Sequence, residues 1–244
     1  MKALILGIFL LMMGVNAAVA SSEPFAVVEL FASEGCSSCP PADDLLIRLT
    51  QQAQAQGKRI FTLSFQVDYW NYLGWRDPFS SPQFAQRQRQ YADVLQSSSV
   101  YTPQMIINGQ KAFIGSDAGL AQKYIEQYLQ APALNSIELT IKSQDSHQVQ
   151  LGYSCAQLTK DTVLHVALVQ GPLESHPLAG ENEGRLLHHD HIVRVFKTIP
   201  FNQLGGVVDI DIPDFKEAKH LTAIAFLQNT HTMNILAASS INLS

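Results

Sequence analysis

The pattern of apolar and polar positions changes near residue 132. Before it, short apolar runs alternate with stretches in which apolar residues recur at helical spacing. After it, only short runs with strand-like alternation remain, such as Ile137, Leu139 and Ile141. The pattern predicts an α/β domain over residues 24–132, a linker over 132–135, and an all-β domain over 135–244.

The first half contains four predicted strands and three predicted helices. Helical periodicity is clearest over Pro40–Gln56, where two prolines suit the first turn and Gly57 follows the end. Asn108-Gly109 predicts a tight hairpin. In chain order, we predict strand 27–31, helix 40–56, strand 59–67, a helix that begins after Ser81, strands 101–107 and 111–115, and a helix capped by Ser116 or Asp117.

The second half contains about seven short predicted strands with turns between them, which is typical of an antiparallel β-sandwich. The predicted strands are 136–143, 148–154, 162–170, 192–199, 207–212, 220–227 and 233–238.

The first twenty residues have the pattern of a secretory signal. Lys2 gives a positive start, Ala3–Val15 is almost wholly apolar, and Ala18-Val19-Ala20 is a small-x-small cleavage site. We predict cleavage before Ser21; the alternative is a retained N-terminal anchor. After cleavage no later stretch is apolar enough to span a membrane, so we expect a periplasmic or secreted protein.

The net charge argues against nucleic acid as a partner. The whole chain carries −5, and removal of Lys2 with the signal makes this −6. A mildly acidic protein lacks the basic surface that binds phosphate backbones or anionic membranes. We therefore expect neither nucleic acid nor an anionic membrane surface as a partner.

The strongest chemical motif is Cys36-Ser37-Ser38-Cys39, which lies between a predicted strand and a predicted helix. A helix N-terminus offers unpaired N–H groups and partial positive charge, which favour a thiolate. The spacing lets Cys39 close a disulfide onto Cys36, and the resulting chemistry is thiol–disulfide exchange. We expect Cys36 to be the more exposed, nucleophilic thiol and Cys39 the resolving thiol.

Two other interpretations of this pair remain open. An exported protein can use such a disulfide only to staple a loop. A metal site would need further ligands, for which Met105 is the nearest soft candidate. The third cysteine, Cys155, lies in a strand-like run and is interpreted as a small buried hydrophobe.

The order of elements around the cysteines resembles the thioredoxin fold. Thr102-Pro103 stands at the head of the third strand, where thioredoxin-like proteins carry a cis-proline that faces the cysteines. Glu29 lies in the first strand, near the position of the buried acid of thioredoxins. The resemblance implies that Thr102 and Pro103 present backbone groups to substrate and that Glu29 exchanges a proton with Cys39.

A more specific resemblance is to an exported bacterial thioredoxin-like family, domain-of-unknown-function family 1223. The matching blocks occur in order over residues 26–130. They are Val28-Glu29-Leu30-Phe31, Cys36 to Asp43, Val67-Asp68-Tyr69-Trp70, Leu73-Gly74-Trp75, Asp77-Pro78-Phe79 and Tyr101 to Met105. The family name implies a fold and a redox role but brings no known substrate.

An aromatic segment follows the second strand, and we expect it to line a substrate groove. Loops after neighbouring parallel strands lie at the same edge of a sheet, so this segment should lie beside Cys36. The expected groove residues are Asp68, Tyr69, Trp70 and Trp75; the alternative is that the tryptophans cover the second domain or fill a small core. We expect no metal at His188, His189 and His191, since two convergent ligands are a weak signal without a third.

The sequence thus predicts an exported thiol–disulfide oxidoreductase that acts through Cys36 and Cys39 on protein thiols or disulfides, with no cofactor and with an unidentified redox partner. The alternatives are a non-enzymatic binding or assembly protein with a structural disulfide, and a metallochaperone. The sequence does not specify the substrate, the direction of electron flow, the oligomeric state or the role of the second domain.

Overall fold

The computed structural model describes residues 23–212 and 220–243. The predicted signal peptide, residues 1–20, lies outside the described residues. Within these ranges the chain forms α1 (Pro40–Gln56), a 3-10 helix (Asp68–Leu73), α2 (Pro82–Val94) and α3 (Ala118–Leu129). The strands are β1 (Ala26–Ala32), β2 (Ile60–Gln66), β3 (Gln104–Ile107), β4 (Lys111–Ile114), β5 (Ile137–Gln144), β6 (Gln148–Cys155), β7 (Thr162–Gln170), β8 (Leu173–Ser175), β9 (Leu187–His189), β10 (Ile192–Pro200), β11 (Gly205–Asp211), β12 (Leu221–Asn229) and β13 (Ile235–Leu243).

The helix boundaries follow local chemistry that is visible in the sequence. The first helix begins at Pro40 and ends before Gly57, which adopts the left-handed conformation with φ 61°. The Ser81 hydroxyl accepts from the N–H of Gln83 and caps α2. The Asp117 carboxylate accepts from the N–H of Leu120 and caps α3. The predicted start and end of α1, and the predicted caps of α2 and α3, are confirmed.

Eight strands form one sheet in the order β13-β12-β7-β10-β2-β1-β3-β4. The first two strands are parallel, and β3 runs antiparallel to β1. The Asn108–Gly109 turn joins β3 to β4, and both residues have positive φ as a tight hairpin turn requires. The predicted hairpin is confirmed.

The sheet is continuous across the two halves of the chain. Strand β10, from the second half, is paired with β2 in parallel at Ile192 and Ser64. A second sheet, β11-β6-β5, is separate, and β8 and β9 form a two-stranded sheet of their own. The division at residues 132–135 and the thioredoxin-like and sandwich assignments stay predictions, whereas β8 and β9 were not predicted.

Three apolar clusters hold these layers together. One cluster lies between the large sheet and α2 and extends from Phe31 to Phe226. A second joins the large sheet to β5, β6 and β11 through residues such as Leu151 and Leu168. The third packs α1 and α3 on β1 and includes both Cys36 and Cys39. The cysteine pair therefore lies on the α1 face of the sheet.

Among the residues described, no helix combines the length and the apolar character needed to cross a bilayer.

Candidate functional site

The disulfide lies where β1 ends and α1 begins. Cys36 and Cys39 are bonded, with their Cα atoms 5.5 Å apart. Cys39 is the residue before α1, and its carbonyl accepts from the N–H groups of Ala42 and Asp43 at 2.8 and 3.1 Å. The pair thus sits at the positive end of the helix dipole, as expected from the sequence.

Both sulfur-bearing residues are buried, which corrects one expectation. Cys36 was expected to be the more exposed thiol, but Cys36 and Cys39 both have 0% of their surface exposed. Only the two spacer residues, Ser37 and Ser38, are exposed. The expectation was wrong because it considered only the strand, loop and helix, and omitted a segment from the second half that covers the loop.

This segment is Pro177–Arg185, which joins β8 to β9 and which we call the clasp. The Glu181 carboxylate accepts from the N–H and the hydroxyl of Ser37 at 2.9 and 2.7 Å. The amide of Asn182 donates to the carbonyls of Glu34 and Cys36, both at 2.9 Å. Asn182 is itself fully buried. Two side chains of the clasp, about 145 residues away in the sequence, therefore hydrogen-bond the cysteine loop.

A cluster of ionisable groups is buried next to the disulfide loop. It consists of Glu34, Asp43, Asp77 and His189, each at most 6% exposed. The Nε2 atom of His189 lies 3.3 Å from Glu34 Oε1, and its Nδ1 atom lies 4.0 Å from Asp43 Oδ1. The Asp77 carboxylate accepts from the N–H of Glu34 at 3.0 Å. Three acids and one imidazole thus share one buried region.

Burial and mutual charge shift the pKa of every member of this cluster. Burial raises the pKa of Asp43 to about 7, against an opposing attraction from His189. Burial, helped by the negative charge of Glu34, raises the pKa of Asp77 to about 6. Burial also works against charge on His189 and Glu34. Their mutual contact nevertheless raises the pKa of His189, and with polar contacts to Ser175 and Trp75 it lowers the pKa of Glu34. Such a set can store or release protons near neutral pH.

The tryptophans of the aromatic segment border the cysteine loop. The indole N–H of Trp75 donates to Glu34 Oε2 at 2.5 Å, and that of Trp70 donates to the Thr102 hydroxyl at 2.8 Å. A Cβ atom built on Gly35 would lie 3.2 Å from Trp70 Cβ. Both tryptophans thus contact residues just before Cys36, and Thr102 is hydrogen-bonded to one of them, Trp70.

The other two members of the predicted groove lie differently. The Tyr69 hydroxyl donates to Gln88 of α2 at 3.0 Å, and its ring packs against the cluster on the α2 face. Burial raises the pKa of Tyr69 to about 12. Asp68 occupies the first turn of the 3-10 helix. Neither residue is brought to the disulfide by these contacts, so their role in a groove stays a prediction.

Pro103 is buried at the head of β3. The Thr102–Pro103 peptide bond is cis, as the resemblance to thioredoxin-like proteins implies. A Cβ built on Gly115 would touch Pro103 and Ala42, which places Pro103 near the first turn of α1. A second cis bond, Gly171–Pro172, was not predicted.

Glu29 does not serve the cysteines, which corrects the role implied by the thioredoxin resemblance. Side chains alternate along β1, so Val28 and Leu30 face α1 and the cysteines, whereas Glu29 faces α2. The Glu29 carboxylate is fully buried and accepts from Arg87 Nε at 2.6 Å and Nη2 at 3.0 Å. It also accepts from the Tyr91 hydroxyl. Glu29 is therefore half of a buried ion pair on the opposite face of the sheet.

The histidines of the second half have separate partners. His188 contacts Glu174 at 3.4 Å on the surface, and His191 Nδ1 lies 2.7 Å from the Thr62 hydroxyl. His189 belongs to the buried cluster. Within residues 23–212 and 220–243, no group of three His, Cys, Asp or Glu side chains has an arrangement that could hold a metal. The absence of a metal site stays a prediction.

Sequence reasoning did not find the second half of this site. Asn182 and Glu181 lie far from the cysteines in the sequence and carry no motif, and the histidine run that contains His189 suggests only a metal site. Glu34 and Asp43 flank the cysteine motif, but an acid beside a loop is ordinarily solvated. Only the fold shows that β9 lies against α1 and brings these groups together.

One solved structure is similar to this chain over most of its length. The crystal structure of protein AGR_C_4864 from Agrobacterium tumefaciens shares 25% sequence identity, covers 91% of this chain and 96% of that one, and has a TM-score of 0.69. A β-glucosidase from Kluyveromyces marxianus shares 10% identity over 47% of this chain and 14% of that one, and its TM-score of 0.22 supports no argument. Among curated proteins, no sequence matches this chain.

One family model covers both halves of the structure. The model described as "Protein of unknown function (DUF1223)" matches residues 27–228, a span that contains the cysteine pair, the buried acids, the clasp and His189. The chain therefore belongs to the family DUF1223.

Proposed function

We propose that this protein is an exported thiol–disulfide oxidoreductase, built on a thioredoxin-like domain, that acts on protein thiols or disulfides through Cys36 and Cys39. The observation that carries the proposal is the disulfide at the junction of β1 and the N-terminus of α1, beside a buried cluster of ionisable groups. The strand order β2-β1-β3-β4, with α1 and α3 on one face and α2 on the other, supports the thioredoxin-like assignment.

The proposed reaction exchanges two electrons and two protons. A substrate thiolate attacks Cys36 Sγ, the Cys36–Cys39 bond breaks, and Cys39 leaves as a thiolate. A second substrate thiolate then attacks the substrate sulfur of the mixed disulfide, which releases Cys36 as a thiolate. The substrate leaves as a disulfide, and the two protons of its thiols pass to the cysteines. In the reducing direction the same steps run backwards.

The surrounding groups support this chemistry in two ways. The N-terminus of α1 favours negative charge on a leaving thiolate. Two neighbouring carboxyl groups, Asp43 and Asp77, have pKa values of about 7 and about 6, so they can exchange protons in the range where a cysteine site works. Trp70 borders the same loop and donates to Thr102, and we expect both to contact an approaching substrate chain.

One observation favours a second candidate. Both cysteines are completely buried, as expected for a disulfide that only staples a loop. In that case the protein would be a non-enzymatic binding or assembly protein, and its function would reside on another surface.

Trapping of a mixed disulfide separates the two candidates. In a Cys39→Ala variant made in a Cys155→Ala background, Cys36 is the only thiol left, and a mixed disulfide formed with a client protein in the exporting cell cannot be resolved. We expect adducts that reductant releases. A matched Cys36→Ala variant, in which Cys39 remains, should yield far fewer. If neither variant forms adducts, the disulfide is structural and the second candidate replaces the first.

A further inference from the structure

Two side chains of the clasp hydrogen-bond the cysteine loop, and one of them is exposed to solvent while the other is buried. Glu181 is exposed and binds Ser37, which is also exposed. Asn182 is buried and binds the carbonyl of Cys36, and the Arg185 guanidinium donates to the Asn182 side-chain oxygen at 2.7 Å. Water can therefore compete for the hydrogen bonds of Glu181, whereas the hydrogen bonds of Asn182 are shielded from solvent.

The clasp is a closed loop between two short strands. The N–H of Gly184 donates to the carbonyl of Pro177 at 2.9 Å and closes the segment on itself. Its flanking strands, β8 and β9, have three residues each and pair with each other, apart from both larger sheets. A closed loop on a short hairpin can move as one body without breaking either large sheet.

The proposed reaction requires a movement that exposes the sulfur. An attacking sulfur or phosphorus atom must reach Cys36 Sγ, yet Cys36 and Cys39 expose none of their surface while the clasp is in place. Built on Gly180, a Cβ atom would lie 3.6 Å from the Cα of Gly35, so the clasp backbone rests directly against the residue before Cys36. The clasp is therefore packed on the loop that carries the buried sulfur.

We propose that Glu181 and Asn182 determine which reaction partners reach the Cys36–Cys39 disulfide, because the clasp has to leave Ser37 and the Cys36 carbonyl before a nucleophile can attack. Small thiols, which cannot displace the clasp, react slowly. A protein substrate that binds the surface around the clasp moves it and reacts. This inference rests on the proposed function, to which it adds selection of protein substrates over small thiols.

The test measures the rate at which a water-soluble trialkylphosphine reduces the disulfide of the folded protein. The phosphine attacks one sulfur, the disulfide breaks, and water converts the phosphonium to the phosphine oxide, leaving two thiols. Because this reaction is driven to completion, its rate can be measured whatever the reduction potential of the disulfide. Alkylation of the two new thiols, resolved by gel shift, gives the time course.

Glu181→Ala is the informative variant because Glu181 is exposed and its replacement leaves the core intact. Loss of two hydrogen bonds to Ser37 should raise the rate constant by about fivefold or more. Glu181→Gln, which keeps an acceptor oxygen but loses the charge, should fall between Glu181→Ala and the natural protein. The control is Glu183→Ala, an exposed acid of the same clasp, which should leave the rate unchanged.

Glutathione provides the second readout, since the inference concerns small thiols. The rate of reaction with glutathione should rise in Glu181→Ala by a factor similar to that seen with the phosphine. Equal rates for the natural protein, Glu181→Ala and Glu183→Ala would overturn the inference, as would a failure of all three to react while folded. The proposed function fails by a different measurement, an equilibrium potential out of reach of thiols, so the two failures are distinguishable.

Discussion

Replacement of Asp43 by Asn should stabilise the protein at pH 8 and leave its stability near pH 4 almost unchanged. Asp43 is buried in the first turn of α1 beside His189, and burial raises its pKa from 3.8 to about 7. Asn is close in shape to the protonated carboxyl group and cannot ionise. The substitution therefore removes the cost of a buried charge at every pH at which Asp43 is ionised.

The sign and size of the effect follow from proton linkage. Well below pH 4, Asp43 is protonated in both the folded and the unfolded chain, so the charge costs nothing, and at pH 4 the cost is still below about 1 kcal/mol. Between pH 4 and 7 the unfolded chain releases the proton while the folded one keeps it, and the free energy of unfolding falls as pH rises. Above pH 7 Asp43 is ionised in both states, and the folded protein carries the full cost of the buried charge. A rise of the pKa from 3.8 to about 7 corresponds to about 4 kcal/mol.

Urea unfolding of the oxidised protein at pH 4 and pH 8 measures this difference directly. Asp44→Asn is the matched control because Asp44 is the next residue of α1 and is exposed. It should change the free energy of unfolding by no more than about 0.5 kcal/mol at either pH. If Asp43→Asn has the same effect at both pH values, or destabilises the protein at pH 8, the assignment of a buried, mostly uncompensated carboxyl group is wrong.

Three further predictions test other parts of the structure. Glu29→Gln should lower the free energy of unfolding by about 3–5 kcal/mol, because it leaves the buried Arg87 guanidinium without its counter-ion, and should leave the disulfide potential unchanged; a shifted potential at unchanged stability would restore Glu29 to the redox site. Gly109→Ala should be destabilising by about 1 kcal/mol or more in the same assay, because a Cβ there would overlap the Met233 carbonyl at a φ of +70°, and an unchanged midpoint would contradict this packing. Equilibrium dialysis should find no stoichiometric zinc, and zinc that disappears in His189→Ala/His191→Ala would overturn the absence of a metal site.

Local features of the fold could be predicted because their causes lie within a few residues. The tandem prolines and Gly57 define α1, and Asn108-Gly109 defines the β3–β4 turn. Strand β7 matches its predicted span over 162–170 for the same reason, since a buried strand is a continuous apolar run. Strands of three residues, such as β8 and β9, contain too few positions for a period to appear.

The site was harder to predict because half of it depends on long-range packing. Successive side chains of a strand point to opposite faces of the sheet. This alternation could have excluded Glu29 from the cysteine face, since its neighbours Val28 and Leu30 face α1. No comparable argument reaches His189 or Asn182. Their positions follow from the pairing of β10 with β2, which draws the second half of the chain against α1, and strand pairs so distant in sequence have no local signature.

The reduction potential of the Cys36–Cys39 pair tests the central claim most directly. The protein without residues 1–20 would be equilibrated with dithiothreitol buffers of known ratio, and the fraction of reduced cysteines would be quantified by alkylation of the folded protein. We predict a potential above about −270 mV, within reach of cellular dithiols. A potential below about −300 mV, typical of structural disulfides, would contradict thiol–disulfide exchange as the function of this pair.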